Sequence, residues 1–488
     1  MPTESGFHRI LYSDDCLNVL RDELALPTGS IDLIYLDPPF NSKNHYNLPF
    51  KGKDKDARPV EAFNDTWTWG TKEGELLREL SGGPQSRYLA DIVNLAQAME
   101  RGGRSRFSLA AYLINMAVRL LAMRRVLADT GSIYLHCDPT ASHYLKLVMD
   151  AIFGVQNFRN EIVWCYHAGG ASRRYFPKKH DILLLYGKNS KKSLHNPIRG
   201  VPYRDIYAYD KDGNTETDKG YHPDGKMLHD WWDIPLISSV ANERLGYPTQ
   251  KPLTLLERVI TASSSPGGLV LDPFCGCGTA VHAAEKLGRH WIGVDISAFA
   301  VGLMRERILR NFDQLTTDDV LVRGVPVNVA DAEALAKRDK FEFEKWICGA
   351  MGAEGMFHEP GTRGADGGVD GVLKFYPFRL GKKPKPEYAI IQVKGGGVTA
   401  DSVKALQATV ERFDATAGVM VCFNRHMRTV ENQRSKVTFS DDSNTYPVIQ
   451  GYSVEDLLAG KTLDLPLYGY RRTGGRIGDQ TELIASRN

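Results

Sequence analysis

Two short segments of the chain carry residue types that could act on a nucleoside. The first is Asp37-Pro38-Pro39-Phe40, which directly follows the apolar run IDLIYL. A carboxylate can accept a hydrogen bond from an exocyclic amine, and the Pro38 carbonyl, held by the rigid diproline, can accept from the same amine. Phe40 offers a stacking face for a base that has left the double helix. Taken alone, such a tetrapeptide is more often a plain loop.

The second segment is LDPFCGCGT, residues 271–279, which lies between a predicted strand and a predicted helix. Gly276 and Gly278 let the backbone approach a ligand closely, and the amides at a helix start point toward it. Val281 replaces the third glycine of the dinucleotide fingerprint. The next predicted strand ends in Asp295, at a distance suited to binding ribose hydroxyls. Together these features indicate a cofactor that contains a nucleoside, although a tight structural turn would also explain the glycines.

A third group of reactive residue types lies toward the C-terminus. Asp370 opens one predicted strand and Lys394 closes the next, so both can meet at one sheet edge. Glu344 lies on the preceding predicted helix. Two carboxylates suit a hard cation, and a lysine can orient or activate a water nucleophile. The pattern predicts a metal site with Asp370 and Glu344 as ligands, and a simple glycine-rich turn is the alternative.

Alternating strands and helices must position these residues. In the first part of the chain they predict an α/β fold, a doubly wound and mostly parallel sheet with helices on both faces. A second, smaller α/β unit follows. We expect domains at 1–315 and 341–488, joined by a linker at 316–340. Residues 41–83 are polar and rich in Lys, Asp and Gly, and we expect them to form a mobile excursion and not a core.

Composition narrows the class of protein. The 488 residues include 61 basic and 59 acidic ones, so a surface that binds nucleic acid must be a local patch. No apolar run approaches the roughly 18 residues that span a membrane, and the first ten residues do not resemble a signal peptide. The seven cysteines are scattered apart from one C-x-C pair, which argues against structural zinc. We expect a cytoplasmic protein that does not contact membranes.

One stretch breaks the overall charge balance. Between residues 169 and 204, nine basic residues face one acid, Asp181, and aromatic residues are interleaved with them. This composition suits a groove for phosphates and exposed bases, and equally a solvated surface. The basic residues are Arg173, Arg174, Lys178, Lys179, Lys188, Lys191, Lys192, Arg199 and Arg204.

The order of these segments resembles the β class of DNA amino-methyltransferases, in which the catalytic motif precedes the cofactor motif. The resemblance covers about residues 9–310 and includes DPPFN, TGSIYLHCDPTASHYLK, NFRNEIVWCYH, YPTQKPLTLLERVI, LDPFCGCGT and GVDIS. It implies S-adenosylmethionine as the cofactor and a target-recognition region at about 169–245. Asp instead of Ser before the two prolines favours adenine N6 over cytosine N4. The glutamine methyltransferases carry Asn there, so a protein substrate is a weaker alternative.

The resemblance also implies roles for individual residues. Methyl transfer would be a direct displacement by the adenine amine, with positioning and preorganised acceptors supplying most of the rate. The implied catalytic residues are Asp37, Pro38, Pro39 and Phe40. Those implied to bind the cofactor are Asp15, Thr249, Lys251, Asp272, Phe274, Gly276, Gly278, Thr279 and Asp295. Asp15 departs from the family pattern, because the sequence reads Asp-Asp where Gly-Asp is usual.

Residues 341–423 resemble the Mrr-type branch of the PD-(D/E)xK nucleases. In that branch a glutamine replaces the second metal-binding acid, as at Gln392 here. The implied catalytic residues are Glu344, Asp370, Gln392 and Lys394, with Mg²⁺ as the metal.

The sequence therefore predicts a fused adenine-N6 methyltransferase and nuclease, a restriction–modification polypeptide acting on double-stranded DNA. A homodimer or further restriction–modification subunits would be compatible with it. One alternative is a methyltransferase whose C-terminal domain only binds DNA. Another is a DNA-binding or sensing protein in which both sites are inactive.

Overall fold

The structure is a computed structural model that describes residues 9–465 with gaps. Phe40 and most of the segment between the basic stretch and residue 226 lie outside the described residues. The gaps are residues 40–44, 49–59, 65–66, 81–85, 101–107, 168–173, 175, 202–225, 239–240, 242, 244–248, 327, 352–353, 356–368, 376–386, 434–436, 441–443, 460 and 462.

The chain alternates strands and helices. The strands are β1 (Arg9–Ser13), β2 (Ile31–Leu36), β3 (His45–Leu48), β4 (Val60–Asn64), β5 (Leu127–Cys137), β6 (Phe158–Cys165), β7 (His180–Gly187), β8 (Arg199–Val201), β9 (Lys226–Met227), β10 (Trp231–Asp233), β11 (Leu269–Asp272), β12 (His290–Asp295), β13 (Leu321–Arg323), β14 (Glu354–Gly355), β15 (Gly371–Phe375), β16 (Glu387–Lys394), β17 (Ala417–Cys422), β18 (Thr438–Ser440), β19 (Thr445–Pro447) and β20 (Ile449–Ser453). The helices are α1 (Cys16–Arg21), α2 (Thr71–Leu80), α3 (Ser86–Glu100), α4 (Ser108–Val126), α5 (Ser142–Phe153), α6 (Leu253–Ser263), α7 (Thr279–Lys286), α8 (Ala298–Asn311), α9 (Val329–Arg338), α10 (Lys340–Ala350), α11 (Ala400–Arg412), α12 (Asn424–Gln433) and α13 (Val454–Leu458).

Nine strands form the first sheet, in the order β10, β6, β7, β5, β2, β11, β12, β1, β13. Every neighbouring pair is parallel except those of β7, which runs antiparallel to β5 and β6. Helices α1 to α5 pack on one face and α6 to α8 on the other, each set building its own core. The predicted doubly wound, mostly parallel sheet is confirmed.

This topology gathers functional side chains at one edge. The carboxyl ends of parallel strands meet at the same edge of a sheet, which is where α/β folds bind ligands. Asp37 follows β2, Asp272 ends β11 and Asp295 ends β12. Because β7 is antiparallel, it brings its first residues, including Asp181, to that same edge.

The prediction of a mobile excursion at residues 41–83 was wrong for its second half. Helix α2 packs against α4, and Leu76 and Leu80 are buried in the core. Trp67 and Trp69 also pack against this core. Most residues of the segment are polar, but a narrow stripe of apolar residues at helical spacing is enough to pack a short helix against the core.

A second sheet has the order β14, β15, β16, β17, β20. Strands β14 to β16 pair antiparallel, whereas β16, β17 and β20 are parallel. Helix α10 packs on one face through Phe343 and Ile347, and α11 on the other through Val403 and Leu406. The predicted small C-terminal α/β unit is confirmed.

The predicted linker, residues 316–340, contains regular structure from both units. Strand β13 pairs with β1 at the end of the first sheet, whereas α9 contributes Ala332 and Leu335 to the core of the second. The short apolar pattern of each element explains why the segment looked aperiodic. The domain boundaries stay a prediction. Within the described ranges, no helix combines the length and apolar composition needed to cross a membrane.

Candidate active sites

The catalytic candidate of the first unit lies where β2 ends. Asp37 is the first residue after this strand, and Pro38 beside it is buried. One carboxylate oxygen of Asp37, Oδ2, contacts the ammonium of Lys251, whose side chain is buried. The structure therefore joins a residue predicted to be catalytic with one predicted to close the cofactor pocket, 214 positions later in the chain.

The segment around Lys251 has an unusual backbone. Thr249 is exposed and has a φ of 62°, a left-handed conformation that few residues other than glycine adopt. Its carbonyl lies 3.5 Å from the Lys251 ammonium, and the Gln250 amide donates to the carbonyl of Glu243 at 2.6 Å. These contacts aim Lys251 at the sheet edge, and strain of this kind often accompanies a functional site.

The glycine turn after β11 is fastened to the next strand by Asp295. The carboxylate of Asp295 accepts hydrogen bonds from the N–H groups of Gly276 and Ser297, each at 2.8 Å. Burial raises the pKa of Asp295 to about 6, although these two donors oppose the rise. Gly276 and Gly278 both have left-handed φ angles, and a Cβ on Gly278 would lie 2.4 Å from a side-chain carbon of Met304. The turn thus requires glycines and ends beside a carboxylate suited to ribose hydroxyls.

Other predicted cofactor residues have structural partners. The Asp272 carboxylate accepts from the N–H of Phe274 at 3.1 Å, and burial raises the pKa of Asp272 well above its ordinary value. The hydroxyl of Thr279 accepts from Arg307 at 3.0 Å. Arg307 is buried, also donates to the Cys277 carbonyl at 3.2 Å, and supports the turn from α8. Sequence reasoning missed Arg307, because one arginine in an amphipathic helix carries no signal.

Asp15 lies at the start of α1. One of its carboxylate oxygens accepts from the N–H of Leu17 at 3.0 Å and so caps the helix. Arg119, buried in α4, donates to both carboxylate oxygens at 2.7 and 2.8 Å. Burial alone would raise the pKa of Asp15, but Arg119 and the helix N–H outweigh it and lower the pKa. The carboxylate is therefore ionised and structurally engaged, and its contact with a cofactor adenine stays a prediction.

His136 is a residue of the first site that sequence reasoning missed. Its side chain is fully buried in β5, and Nδ1 lies 2.8 Å from the Tyr35 hydroxyl and 3.9 Å from Oδ1 of Asp37. Nε2 lies 3.2 Å from a carboxylate oxygen of Asp181. His136 can be seen in the sequence segment SIYLHCD, but no local pattern links it to Asp181, which lies 45 residues later.

In the C-terminal unit the predicted residues converge on β16. The Asp370 carboxylate accepts from the N–H of Val393 at 2.6 Å. Glu344 is buried on α10, with Lys340 3.3 Å away. Burial and the charge of Asp370 raise the pKa of Glu344 to about 7, with Lys340 and Lys394 opposing the rise. Two carboxylates and a lysine therefore share one electrostatic environment.

Gln392 supplies an independent sign of a ligand. Its side chain is buried, and its carbonyl oxygen has no hydrogen-bond partner within the part of the chain that the structure describes. A buried polar atom without a partner is costly and calls for an explanation. In the same part of the chain, no three His, Cys, Asp or Glu side chains cluster as a metal site. Carboxylate and amide oxygens are ligands that Mg²⁺ prefers, so the set of Glu344, Asp370 and Gln392 stays a prediction.

The basic stretch is divided by the structure. Strand β7 lies in the middle of it and belongs to the first sheet, which the sequence did not predict. Lys178 and Lys179 precede β7 at the edge that carries Asp37, whereas Lys188 and Lys192 follow it at the opposite edge. There the Lys188 ammonium donates to the Leu127 carbonyl, and Lys192 pairs with an acid, Asp129, at 3.5 Å. Eight strand residues separate the halves by roughly 27 Å, so they do not form one patch.

Comparison with known families divides the chain in the same way. A family model described as DNA methylase matches residues 31–306, more than half of the chain. A second family model, described as restriction endonuclease, matches residues 335–437.

Individual relatives match parts of the first region. The type II methyltransferase M.HpaI of Haemophilus parainfluenzae is 30% identical over 208 residues, which is 42% of this chain and 62% of that protein. M2.DpnII of Streptococcus pneumoniae, also a type II methyltransferase, is 36% identical over 30% of this chain and 50% of its own length. The DNA adenine methyltransferase YhdJ of Escherichia coli is 30% identical over 37% and 62%. The chain spans between 50% and 65% of the length of the curated relatives it matches.

Among solved structures, the chain is similar to the Thermus thermophilus protein TTHA0409 in complex with S-adenosyl-L-methionine. The two are 17% identical, with a TM-score of 0.38 over 64% of this chain and 99% of that one.

Proposed function

Because the chain belongs to the DNA methylase family, whose model matches residues 31–306, we propose that it methylates adenine N6 in double-stranded DNA. The methyl donor would be S-adenosylmethionine. The position of Asp37 carries the proposal. Its carboxylate lies at the ligand-binding edge, and the strand before it pairs with β11, which leads into the glycine turn.

Asp37 and Pro38 would bind the target amine. An adenine amine is a weak nucleophile because its lone pair is delocalised into the ring. If Oδ1 of Asp37 and the Pro38 carbonyl accept the two N–H groups, the nitrogen becomes pyramidal and its lone pair is directed. S-adenosylmethionine supplies, when bound, a methyl group on a positive sulfur. Fixed acceptors in a partly buried site act without reorganisation, which is the main source of rate enhancement in such sites.

Lys251 would restrain Asp37 without blocking it. The ammonium contacts Oδ2, so the other carboxylate oxygen remains directed toward the target. The lysine also offsets a charge that is costly to bury. On the cofactor side, the glycine-turn amides and Asp295 would hold the nucleoside, with Arg307 supporting the turn from below. This assignment keeps Asp272, Phe274 and Thr279 at the pocket as residues that shape it.

The test is transfer of a labelled methyl group to unmethylated DNA, followed by digestion to nucleosides and chromatography. Label in N6-methyladenine is the expected product, and label in N4-methylcytosine would replace the adenine assignment. Asp37→Asn keeps the shape of the side chain but removes its charge, and we expect the rate to fall by about 100-fold or more. Near-wild-type transfer by this variant would refute the role of Asp37. Asp138→Asn, which changes a partly exposed turn carboxylate at the same edge, is the matched control.

For the C-terminal unit we propose Mg²⁺-dependent cleavage of unmethylated DNA. The unpartnered carbonyl oxygen of Gln392 carries this proposal, because Gln392 precedes Val393, whose N–H binds the Asp370 carboxylate. Glu344, Asp370 and Gln392 would hold the metal. The bound metal would polarise the phosphate and activate a water molecule. Lys394 would orient that water. Gln392 brings no charge, so binding should be weak and millimolar Mg²⁺ should be required.

Cleavage assays with Asp370→Ala and Lys394→Ala test this second activity. Wild-type protein should cut unmethylated DNA with Mg²⁺ and not with a chelator, and both variants should be inactive while still transferring methyl groups. If the wild type binds DNA but never cuts it, the C-terminal unit is a binding module. Domain limits of 1–315 and 341–488, a dimer, and further restriction–modification subunits remain proposals that limited proteolysis and light scattering can test.

A further inference from the structure

The methyl transfer proposed above leaves one proton to be removed, and the inference below rests on that reaction. The target nitrogen forms a bond to the methyl carbon while the carbon–sulfur bond breaks, and the electron pair of that bond stays on sulfur. The nitrogen then carries a positive charge and one proton more than the neutral methylated amine. A base in or behind the site must accept that proton.

Asp37 can accept the proton but is poorly placed to keep it. Its Oδ2 contacts the Lys251 ammonium, which has no lone pair and cannot take the proton further. Its Oδ1 faces Nδ1 of His136 at 3.9 Å. That distance exceeds a hydrogen bond, and a shift of about 1 Å in the carboxylate would close it. A proton that leaves the amine would therefore reach Asp37 first and the buried His136 second.

The hydrogen bonds around His136 determine which nitrogen can accept. Burial would raise the pKa of Asp181, but the hydrogen bond from His136 and the charge of Lys251 lower it, so Asp181 is ionised and only accepts. Nε2 must therefore carry the hydrogen in the 3.2 Å contact with Asp181. In the neutral ring Nδ1 is then an acceptor. Burial raises the pKa of Tyr35 well above its ordinary value, so its hydroxyl keeps its proton and can donate to Nδ1.

We propose that His136, held by Asp181, takes up the proton that the target amine loses. The proton passes from the amine nitrogen to Oδ1 of Asp37 and from there to Nδ1 of His136, after the Tyr35 hydroxyl has rotated so that it no longer donates to that nitrogen. Asp37 is again a carboxylate, and the imidazolium lies between it and Asp181. Two flanking carboxylates offset the cost of a positive charge on a fully buried ring. His136 does not contact the target amine and acts only through Asp37, so it is called a positioning residue and not a catalytic residue.

The proton would pass from His136 to solvent by way of Asp181. Its side chain is 15% exposed and that of Asp37 is 17% exposed, whereas His136 is closed to solvent. Because the target amine would cover Asp37 during the reaction, Asp181 is the contact of the ring that then still reaches water. The Tyr166 hydroxyl donates to the other oxygen of Asp181 at 3.3 Å and orients it. The ionisable groups that face this pair, directly or through one neighbour, are Tyr35, Asp37, Asp138, Tyr166, Lys251 and Asp272.

The test is the pH dependence of single-turnover methyl transfer between pH 5 and 9. In the wild type the rate should fall at acid pH as His136 becomes protonated and can no longer accept. Asp181→Asn keeps an acceptor for Nε2–H but removes the charge that stabilises imidazolium. The acidic limb should therefore move to lower pH by about one unit, and the rate at pH 8 should fall by about 10- to 100-fold. In His136→Asn that limb should disappear.

Asp150→Asn is the matched control, because Asp150 is a similarly shielded carboxylate that binds β7 at a distance from the site, through the Tyr186 hydroxyl. Its profile should match the wild type. An acidic limb that stays in place in Asp181→Asn overturns the proposal, whatever happens to the rate at pH 8, since a purely structural role would lower the rate alone.

A second readout does not depend on turnover. Imidazole ¹⁵N shifts of the full chain, with His136 assigned from His136→Asn, should show hydrogen on Nε2 at neutral pH in the protein without DNA. A ring with hydrogen on Nδ1 instead would overturn the proposal. If the wild type transfers no methyl group at any pH, the proposed function fails, and this readout still decides how the pair is arranged.

Discussion

In the first unit, Asp37 contacts the ammonium of Lys251. In the second unit, Glu344 lies near another carboxylate, Asp370, and burial together with the charge of Asp370 raises the pKa of Glu344. Both sites include residues at strand ends, and both contain a lysine. In the first, the charge of the key carboxylate is compensated by the protein. In the second, Lys340 and Lys394 compensate it only in part, since the pKa of Glu344 is still raised. The carbonyl oxygen of Gln392 also lacks a partner within the described part of the chain.

The difference indicates what each site needs from outside. A compensated carboxylate whose second oxygen the lysine does not contact can bind a neutral amine without a metal. One buried and one partly buried carboxylate, together with an unpartnered amide oxygen, gain most from a divalent cation, which supplies positive charge and a partner at once. The same residue types therefore support different chemistry, because the balance of local charge differs.

The prediction with the largest expected effect is a genetic test of whether the two sites act on the same DNA. If the two sites act independently on the same DNA, a cell survives the nuclease only when its own sites are methylated. We expect Asp37→Ala to prevent colony formation, and the double variant Asp37→Ala with Asp370→Ala to restore it. Transformation efficiency measures both. Cells that tolerate Asp37→Ala alone, with wild-type protein levels on a blot, would leave only the methyltransferase.

The next effect concerns ligand binding in the first unit. The pKa of Asp295 is raised to about 6 by burial, so its carboxylate becomes fully ionised only above that pH. An ionised carboxylate accepts from ribose hydroxyls better than a protonated one, so the affinity for S-adenosylhomocysteine should rise by about tenfold between pH 5 and 7. Calorimetry measures it.

The variants Asp295→Ala and Asp295→Asn separate two roles of this side chain. Asparagine can still accept from the Gly276 N–H, which holds the turn, but it does not titrate. Both variants should bind the ligand more weakly than wild type at pH 7, and neither should show the rise. A rise that persists in Asp295→Asn would assign the titration to another group.

The sequence predicts candidate residues for both sites, but it does not predict the contacts that surround them. Asp37, the glycine turn and Asp295 all follow β strands whose apolar runs are visible, so strand ends place them at one edge. Lys251 was assigned by resemblance, and its contact with Asp37 spans 214 residues, a separation that no local pattern can predict.

The residues that were missed act across the sheet. His136 depends on Asp181, which reaches this edge only because β7 runs antiparallel. The sequence predicts only a basic stretch between residues 169 and 204, within which β7 lies. Arg307 supports the glycine turn from the following helix. Both belong to buried polar contacts between distant elements, and their sequence neighbourhoods look like an ordinary strand and helix.

A smaller effect sharpens the comparison in the second unit. Because the pKa of Glu344 is raised to about 7, the folded protein binds this proton more tightly than the unfolded chain. The stability that the proton contributes is complete below pH 4.5 and is lost as the pH rises through 7. Mg²⁺ should replace it, so saturating Mg²⁺ should raise the melting temperature more at pH 8 than at pH 6, by about 2–4 °C.

Scanning calorimetry of the full chain measures the shift, and Glu344→Gln is the control. The amide keeps an oxygen ligand but has no proton to lose, so its Mg²⁺ response should not change between pH 6 and 8. Equal stabilisation of the wild type at both pH values would mean that Glu344 does not contact the ion. The first unit should show no such response, since Lys251 already compensates Asp37.

The smallest effect asks which surface of the first unit meets DNA. Binding that neutralises phosphates weakens with salt, and each lost phosphate contact reduces the slope of log affinity against log salt by about one unit. Lys178 and Lys179 lie at the edge that carries Asp37, whereas Lys188 and Lys192 lie at the other end of β7. Replacing the first pair with glutamine should flatten the slope, and replacing the second should not, because DNA bound at Asp37 cannot reach both edges. Fluorescence anisotropy at several salt concentrations measures the slopes. If both replacements flatten them equally, the DNA follows a path around the sheet, and the basic stretch acts as one surface after all.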